Sequence, residues 1–225
     1  MLRTPVAALL TLSTLASFAA SITLTGVVRD FPSDGVNFEG KTYLEGQSFG
    51  LFVGLVEKTL VGPSPKLTAL GASKINAENF NQWFTKTSNK VPLTLTLQET
   101  ADGSGVYTYN DNSFFPINGQ ELGNQNHGHN FHFTFSAAAQ FTYKPGTRQT
   151  FTIRGDDDIW VYFDKQLGVD LGGVHRPATA TVDMDELLAG KPEGVYSFDL
   201  FFAERHTTRS TLSITTSLIL LPREP

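Results

Sequence analysis

The feature that most constrains the fold is a series of short strand-like segments separated by turn-forming residues. Each segment is rich in β-branched or aromatic residues, and each is bounded by Gly, Pro, Asn or Asp. This pattern is typical of β-strands joined by tight turns. Nine segments follow it: 21–28, 107–109, 131–135, 139–143, 149–154, 159–164, 179–182, 195–203 and 211–218. Their spacing predicts an all-β chain folded as a sandwich or a barrel.

Two short helices are expected within this β-structure. Asn76 can cap a helix over 77–85, and Asp183 can cap one over 184–188. The sequence contains no internal repeat and no linker rich in Pro or Ser. A single domain over 20–225 is therefore predicted.

Residues 1–19 have the pattern of a secretory signal peptide. Arg3 provides the positive start, 6–16 an apolar centre, and 17–19 a small-x-small cleavage site. The apolar stretch is too short and too rich in Thr and Ser to cross a bilayer. We expect a secreted protein, extracellular or at the cell surface, with no membrane span. It has no cysteine, so its stability has to come from the core and from any bound metal.

The charge and the available motifs argue against two classes of function. The formal net charge is −5 and no basic run occurs, which makes nucleic acid an unsuitable partner. No pair of carboxylates is spaced as in a glycosidase, because the Asp cluster is too crowded for that geometry. The chain is therefore predicted to be a binding protein and not an enzyme.

Three consecutive acids, Asp156, Asp157 and Asp158, directly precede an apolar strand candidate. Adjacent carboxylates raise each other's pKa unless a cation or a donor offsets the repulsion, and hard oxygen ligands suit Ca²⁺. In an extended strand, Asp156 and Asp158 would share a face and could chelate one ion. Asp156 and Asp157 could share an ion only if the backbone bent sharply. A solvated turn is the alternative, because three side chains cannot supply the roughly six to eight oxygens of a calcium site.

A second polar group, Glu204, Arg205 and His206, lies in a predicted hairpin loop before the last strand candidate. These residues could complete an ion or glycan site, or Glu204 and Arg205 could form a buried pair that fixes the loop. His175 follows a Gly-Gly turn that could bring it near the acids. A structural hydrogen bond is the favoured role for its ring.

Five segments together resemble the fibro-slime domain, in the expected order: 114–117, 129–131, 155–161, 170–175 and 201–206. This family is related to the protective-antigen-type (PA-fourteen) β-sandwich of anthrax, which is also found in yeast flocculin adhesins and some bacterial glycosidases. The resemblance implies an antiparallel β-sandwich. It also implies Ca²⁺ bound through an adjacent Asp-Asp pair with a cis peptide, and glycans recognised through that ion and flanking loops.

By this resemblance, counting back from Asp164, the paired acids are Asp156 and Asp157. Asp158 then assists or faces solvent, and it occupies a position that is often Gly. The family's early acidic element corresponds to the degraded run 36–39, and Lys165 replaces the Gly expected after Asp164.

The sequence thus predicts an all-β, secreted, calcium-dependent module for carbohydrate binding or adhesion, without catalysis. Its partners would be glycans or a polysaccharide of the cell surface or matrix. An alternative is a structural component of matrix or slime, in which calcium braces a loop and the partners are proteins. An accessory module of a hydrolase is disfavoured. The predicted metal ligands are Asp156, Asp157 and Asp158, and the candidate ligand-binding residues are His175, Glu204, Arg205 and His206.

Overall fold

The computed structural model describes residues 20–33, 38 and 49–223, so the predicted signal peptide and most of the run 36–39 lie outside the described residues. The described part contains three short helices, α1 (Ala69–Lys74), α2 (Ala77–Trp83) and α3 (Met184–Leu187). None of them is long and apolar enough to cross a membrane. The strands are β1 (Ser21–Asp30), β2 (Lys90–Glu99), β3 (Tyr107–Asp111), β4 (Phe133–Tyr143), β5 (Thr150–Asp156), β6 (Asp158–Phe163), β7 (Gln166–Leu171), β8 (Ala178–Asp183), β9 (Gly194–Glu204), β10 (Thr211–Thr216) and β11 (Leu220–Pro222).

The strands form one continuous antiparallel sheet that folds over on itself. Its order is β7-β6-β9-β4-β1-β2-β3-β10-β5-β8, with β11 paired to β4. In a flat sheet, β9 and β5 would lie about 29 Å apart, because neighbouring strands are separated by about 4.8 Å. The rings of Phe198 on β9 and Phe151 on β5 are only 5.3 Å apart. The two halves of the sheet therefore pack face to face, which confirms the predicted antiparallel β-sandwich.

The main core fills the space between these two halves. Strands contribute alternate residues to it because successive side chains point to opposite faces. On β9 these residues are Phe198, Leu200 and Phe202, all fully buried. On β6 they are Val161 and Phe163.

A second apolar cluster covers the outer face of β6 and β9. Trp160 and Tyr162 of β6 point into it, opposite to Val161 and Phe163, because successive side chains of a strand alternate between its faces. Helix α2 covers this face with Trp83, which is fully buried, and begins at the predicted N-cap Asn76. Every residue of β6 is therefore buried, and the start of this strand is fixed on both faces.

Three expectations about elements need correction. Segments 131–135 and 139–143 are predicted as two strands, but 133–143 forms the single strand β4. Strands β2, β7 and β11 have no counterpart among the predicted segments. Helix α1 is additional to the two expected helices.

Candidate cation and ligand site

The three consecutive acids connect the two halves of the sandwich. Asp156 ends β5, where it pairs with Thr211 of β10, and Asp158 begins β6, where it pairs with Ala203 of β9. Asp157 lies between the two strands. The peptide bond that joins Asp156 to Asp157 is cis, as the resemblance implies. All three acids are buried, so they do not form a solvated turn.

Backbone amides hold the first two acids. Asp156 Oδ1 accepts a hydrogen bond from the Thr211 amide at 2.6 Å. Asp157 Oδ1 accepts from the His175 amide at 3.2 Å, and its Oδ2 accepts from the Arg205 amide at 3.0 Å. A carboxylate has about four acceptor positions. Both side chains thus retain acceptor positions for a cation.

Asp158 serves a different purpose. Its Oδ1 accepts from the Gly173 amide at 2.6 Å, and its Oδ2 forms an ion pair with Arg205 Nε at 2.6 Å. The side chain is fully buried, so the expectation that it faces solvent is wrong. Asp158 anchors the start of β6 to the loop after β7, and it is not brought to the cavity that Asp156 and Asp157 line.

Glu204 and Arg205 do not form the pair that was expected as an alternative. Arg205 pairs with Asp158 and lies 5.2 Å from the centre of the Trp83 ring. Neighbouring residues at the end of a strand point to opposite faces, which directs Glu204 away from Arg205. Both Glu204 carboxylate oxygens are buried, and neither forms a hydrogen bond of normal geometry, although the Ser210 hydroxyl and the His206 amide lie nearby.

Burial makes the negative charge of these acids unfavourable. It raises the pKa of Asp157 to about 8, although the positive charge of Arg205 opposes this change. Burial also raises the pKa of Asp156. The pKa of Glu204 lies well above its usual value because the side chain is buried and because Asp157 and Asp156 repel its charge. A nearby cation would favour the ionised form of all three.

Asp156 and Asp157 line an open cavity of about 740 Å³. Two loops form most of its walls, 174–177 after β7 and 206–209 after β9. The lining residues are Phe49, Asp156, Asp157, Val174, His175, Arg176, Pro177, His206, Thr207, Thr208 and Arg209. Of the four candidate ligand-binding residues, His175 and His206 therefore lie at the cavity. Glu204 and Arg205 are buried and do not line it.

The histidines at the cavity have different environments. The His175 ring lies between two backbone carbonyls, with Nδ1 2.8 Å from the Arg176 oxygen and Nε2 3.2 Å from the Leu171 oxygen. This agrees with the structural role favoured for its ring. The His206 ring lies 5.1 Å from the ring of Phe49.

Several residues at the cavity have no counterpart in the sequence prediction. They are Phe49, Arg176, Thr207, Thr208 and Arg209. Arg176 directly follows the motif 170–175, and 207–209 directly follow the motif 201–206. Proximity to these motifs is the one signal that could have indicated the four loop residues. No comparable signal marks Phe49, which is distant in sequence from both motifs.

The oxygen atoms available as ligands at this site suit a hard cation. Carboxylate oxygens are the preferred protein ligands of Ca²⁺, and Glu204 places two further buried oxygens without a hydrogen bond beside the pair. Within the described ranges, no group of three or more His, Cys, Asp or Glu side chains could hold a metal ion, so a cation at Asp156 and Asp157 would need oxygens from other groups.

Comparison with known proteins identifies the family. The PA14 domain model matches residues 93–223. Among curated relatives, the Dictyostelium discoideum proteins psiQ and psiD are 40% and 37% identical over 190 and 217 residues, covering 76% and 88% of this chain. The chain spans only 19% and 42% of their lengths.

Two solved structures are also similar. One is described as the PA14 sugar-binding domain of an RTX adhesin; it is 14% identical with a TM-score of 0.36, covering 87% of this chain and 89% of that one. The other is the PA14 domain of the MpAFP antifreeze protein, 8% identical with a TM-score of 0.41, covering 94% and 93%. Because the family model matches more than half of its residues, the chain belongs to the PA14 domain family.

Proposed function

We propose that this chain is a secreted, non-catalytic module that binds carbohydrate through Ca²⁺ held by Asp156 and Asp157. One observation carries the proposal: two buried acids that retain acceptor positions line an open cavity. Family membership supports it, since PA14 domains are typically modules for carbohydrate binding or adhesion.

In this proposal, Asp156 and Asp157 supply the carboxylate ligands. Calcium takes about six to eight oxygens, so backbone carbonyls, water and ligand hydroxyls would complete its coordination. Mg²⁺ fits less well, because it demands a regular octahedron and gives up water reluctantly. When bound, the ion would supply an electrophilic centre for sugar hydroxyls.

The rest of the cavity has the composition of a sugar site. Phe49 is 53% exposed and offers an apolar surface to the carbon face of a sugar ring. Thr207 and Thr208 provide hydroxyls that can both donate and accept hydrogen bonds. Concave sites with an aromatic surface and a few polar groups are typical of small-ligand binding.

A glycan array tests this function. The chain is applied in calcium, in EDTA, and after calcium is restored. We expect glycan signals that disappear in EDTA and return with calcium. Asp157→Asn should lose them. Asp102→Asn, which makes the same chemical change at an exposed turn, should retain them.

The second candidate is a structural component of matrix, in which calcium only braces the site. It is favoured by the fact that Asp157 accepts hydrogen bonds from the His175 amide in one wall of the cavity and from the Arg205 amide just before the other wall. It predicts that calcium raises the melting temperature while no glycan is bound. Glycan signals that are unaffected by EDTA and by Asp157→Asn would contradict the proposed function.

A further inference from the structure

We propose that the cavity selects sugars that carry a negatively charged group, a carboxylate or a sulfate, and that Arg176 and Arg209 provide this selectivity. The inference rests on the sugar-binding function proposed above. It adds the chemical class of the ligand and two residues that recognise it.

Both arginines are available to a ligand. Arg176 and Arg209 line the cavity, and both are exposed. Neither forms an ion pair or a hydrogen bond through its guanidinium with any described residue, whereas Arg205 is engaged by Asp158. Each guanidinium therefore presents up to five N–H donors to the cavity or to solvent.

The two arginines lie on the two loops that form most of the cavity's walls. Arg176 lies in the loop 174–177, which is anchored where the His175 amide donates to Asp157. Arg209 lies in the loop 206–209, just before Thr211, whose amide donates to Asp156. The two backbones are thus fixed relative to the same pair of acids. Each loop thus brings one cationic side chain to the lining of the cavity.

The local charge at the cavity also favours an anionic ligand. The two carboxylates that line the cavity carry −2, and a divalent cation would cancel this charge. The guanidinium groups of Arg176 and Arg209 then give the cavity a net charge of +2, or of +1 if the nearby Glu204 is ionised. The whole chain carries −5, so the cavity would be a positive patch on a negative protein. Such a patch attracts anions and disfavours cations.

The chemistry then separates two classes of sugar. A neutral sugar can use the ion, Phe49 and the threonine hydroxyls, but it gains little from a guanidinium. A carboxylate or sulfate can accept charge-assisted, bidentate hydrogen bonds from arginine. Because both arginines are exposed, salt should weaken this preference.

The test compares matched glycans in excess calcium. An array displays galactose, galacturonate and galactose 6-sulfate, and the equivalent glucose and N-acetylglucosamine sets. For at least one set, the parent should bind an acidic form about tenfold more tightly than the neutral form. Carboxylated and sulfated forms on the same array show which anion is preferred.

Variants then assign the effect to the arginines. The double variant Arg176→Gln, Arg209→Gln should bind the acidic and neutral forms within about twofold of each other, because its affinity for the acidic form falls. Arg148→Gln is the control, because it removes an exposed arginine from the turn before β5, at the end of that strand opposite to Asp156.

Two results would overturn the inference and leave the proposed function intact. One is calcium-dependent binding with equal or weaker affinity for the acidic forms. The other is an acid preference that persists in the double variant, which would assign it to the ion alone. Loss of all calcium-dependent glycan binding would instead refute the proposed function, and this inference with it.

Discussion

Asp158 shows how one residue in a uniform acidic run can have a role different from its neighbours. It is paired with Arg205 at 2.6 Å, and both side chains are buried. Removing one partner of a buried pair leaves the other charge uncompensated. We predict that Asp158→Asn destabilises the fold by about 3 kcal/mol even in EDTA. Urea unfolding measures this loss, with Asp102→Asn as the matched control. An unchanged midpoint for Asp158→Asn would refute the structural role.

The raised pKa of Asp157 predicts a pH effect of definite sign. A carboxyl whose pKa is about 8 in the folded chain and near 4 when unfolded binds its proton more tightly in the folded state. Its contribution to stability is complete below pH 4 and is lost as the pH rises through 8. In EDTA, Asp157→Asn should therefore gain stability relative to the parent between pH 5 and 8.5.

Calcium should reverse this trend, because the ion requires ionised carboxylates and displaces their protons. The melting temperature gained from calcium should increase from pH 5 to 8.5. Melting curves in calcium and in EDTA at several pH values provide the test. A gain that is constant across this range would count against binding by groups of raised pKa.

At the scale of elements, sequence patterns succeed where local preference and tertiary packing agree. The alternation along β6 places its residues on the correct faces, and the caps at Asn76 and Asp183 start their helices. Strand β4 differs, because Ser136, Ala137 and Ala138 have low β-propensity. Pairing with β1 and β9 on either side nevertheless continues the strand.

Strand β2 was missed because Pro92 interrupts its pattern. The proline lies where β2 pairs with β1, and β3 pairs only with Gln98 and Glu99 further along. At Pro92, β2 therefore has β1 as a neighbour on one side and no described strand on the other side. In β7, Gly168 packs against the Phe163 ring. From the sequence alone, a glycine at such a close contact looks the same as a glycine that marks a turn.

The loop after β7 gives a prediction at this scale. Gly173 has φ +98°, and a Cβ there would collide with the Gly50 carbonyl oxygen and the Phe52 ring. Its amide also holds Asp158. Gly103 has φ +69° but open space around it. We predict that Gly173→Ala costs more than 3 kcal/mol and Gly103→Ala about 1 kcal/mol. Equal unfolding midpoints for the two variants would contradict the role of this close packing.

For the whole molecule, the sequence supports the sandwich and the position of the acid pair, because both depend on local motifs in a recognisable order. It could not place the cavity walls. Arg176 and Arg209 are 33 residues apart by their numbers, and only the packing of the two sandwich halves brings their loops to the same acids. The Asp158–Arg205 pair depends instead on the pairing of β6 with β9, which are distant in sequence but adjacent in the sheet.

Secretion is a further prediction about the whole chain, and it rests on residues 1–19 alone. We expect the exported protein to begin near Ala20, because cleavage should follow the small-x-small site at 17–19. Mass spectrometry of the extracellular fraction after expression gives the mass of the mature chain. An extracellular product that retains Met1 would contradict the predicted signal peptide.

We propose above all that Asp156 and Asp157 hold a calcium ion at the cavity, a claim that calorimetric titration of the apo protein with calcium at pH 7.5 can check. We expect the parent and Asp102→Asn each to bind one ion with equal affinity, and Asp156→Asn and Asp157→Asn each to bind at least tenfold more weakly. No calcium binding by the parent, or parent-like affinity in both cavity variants, would contradict the claim.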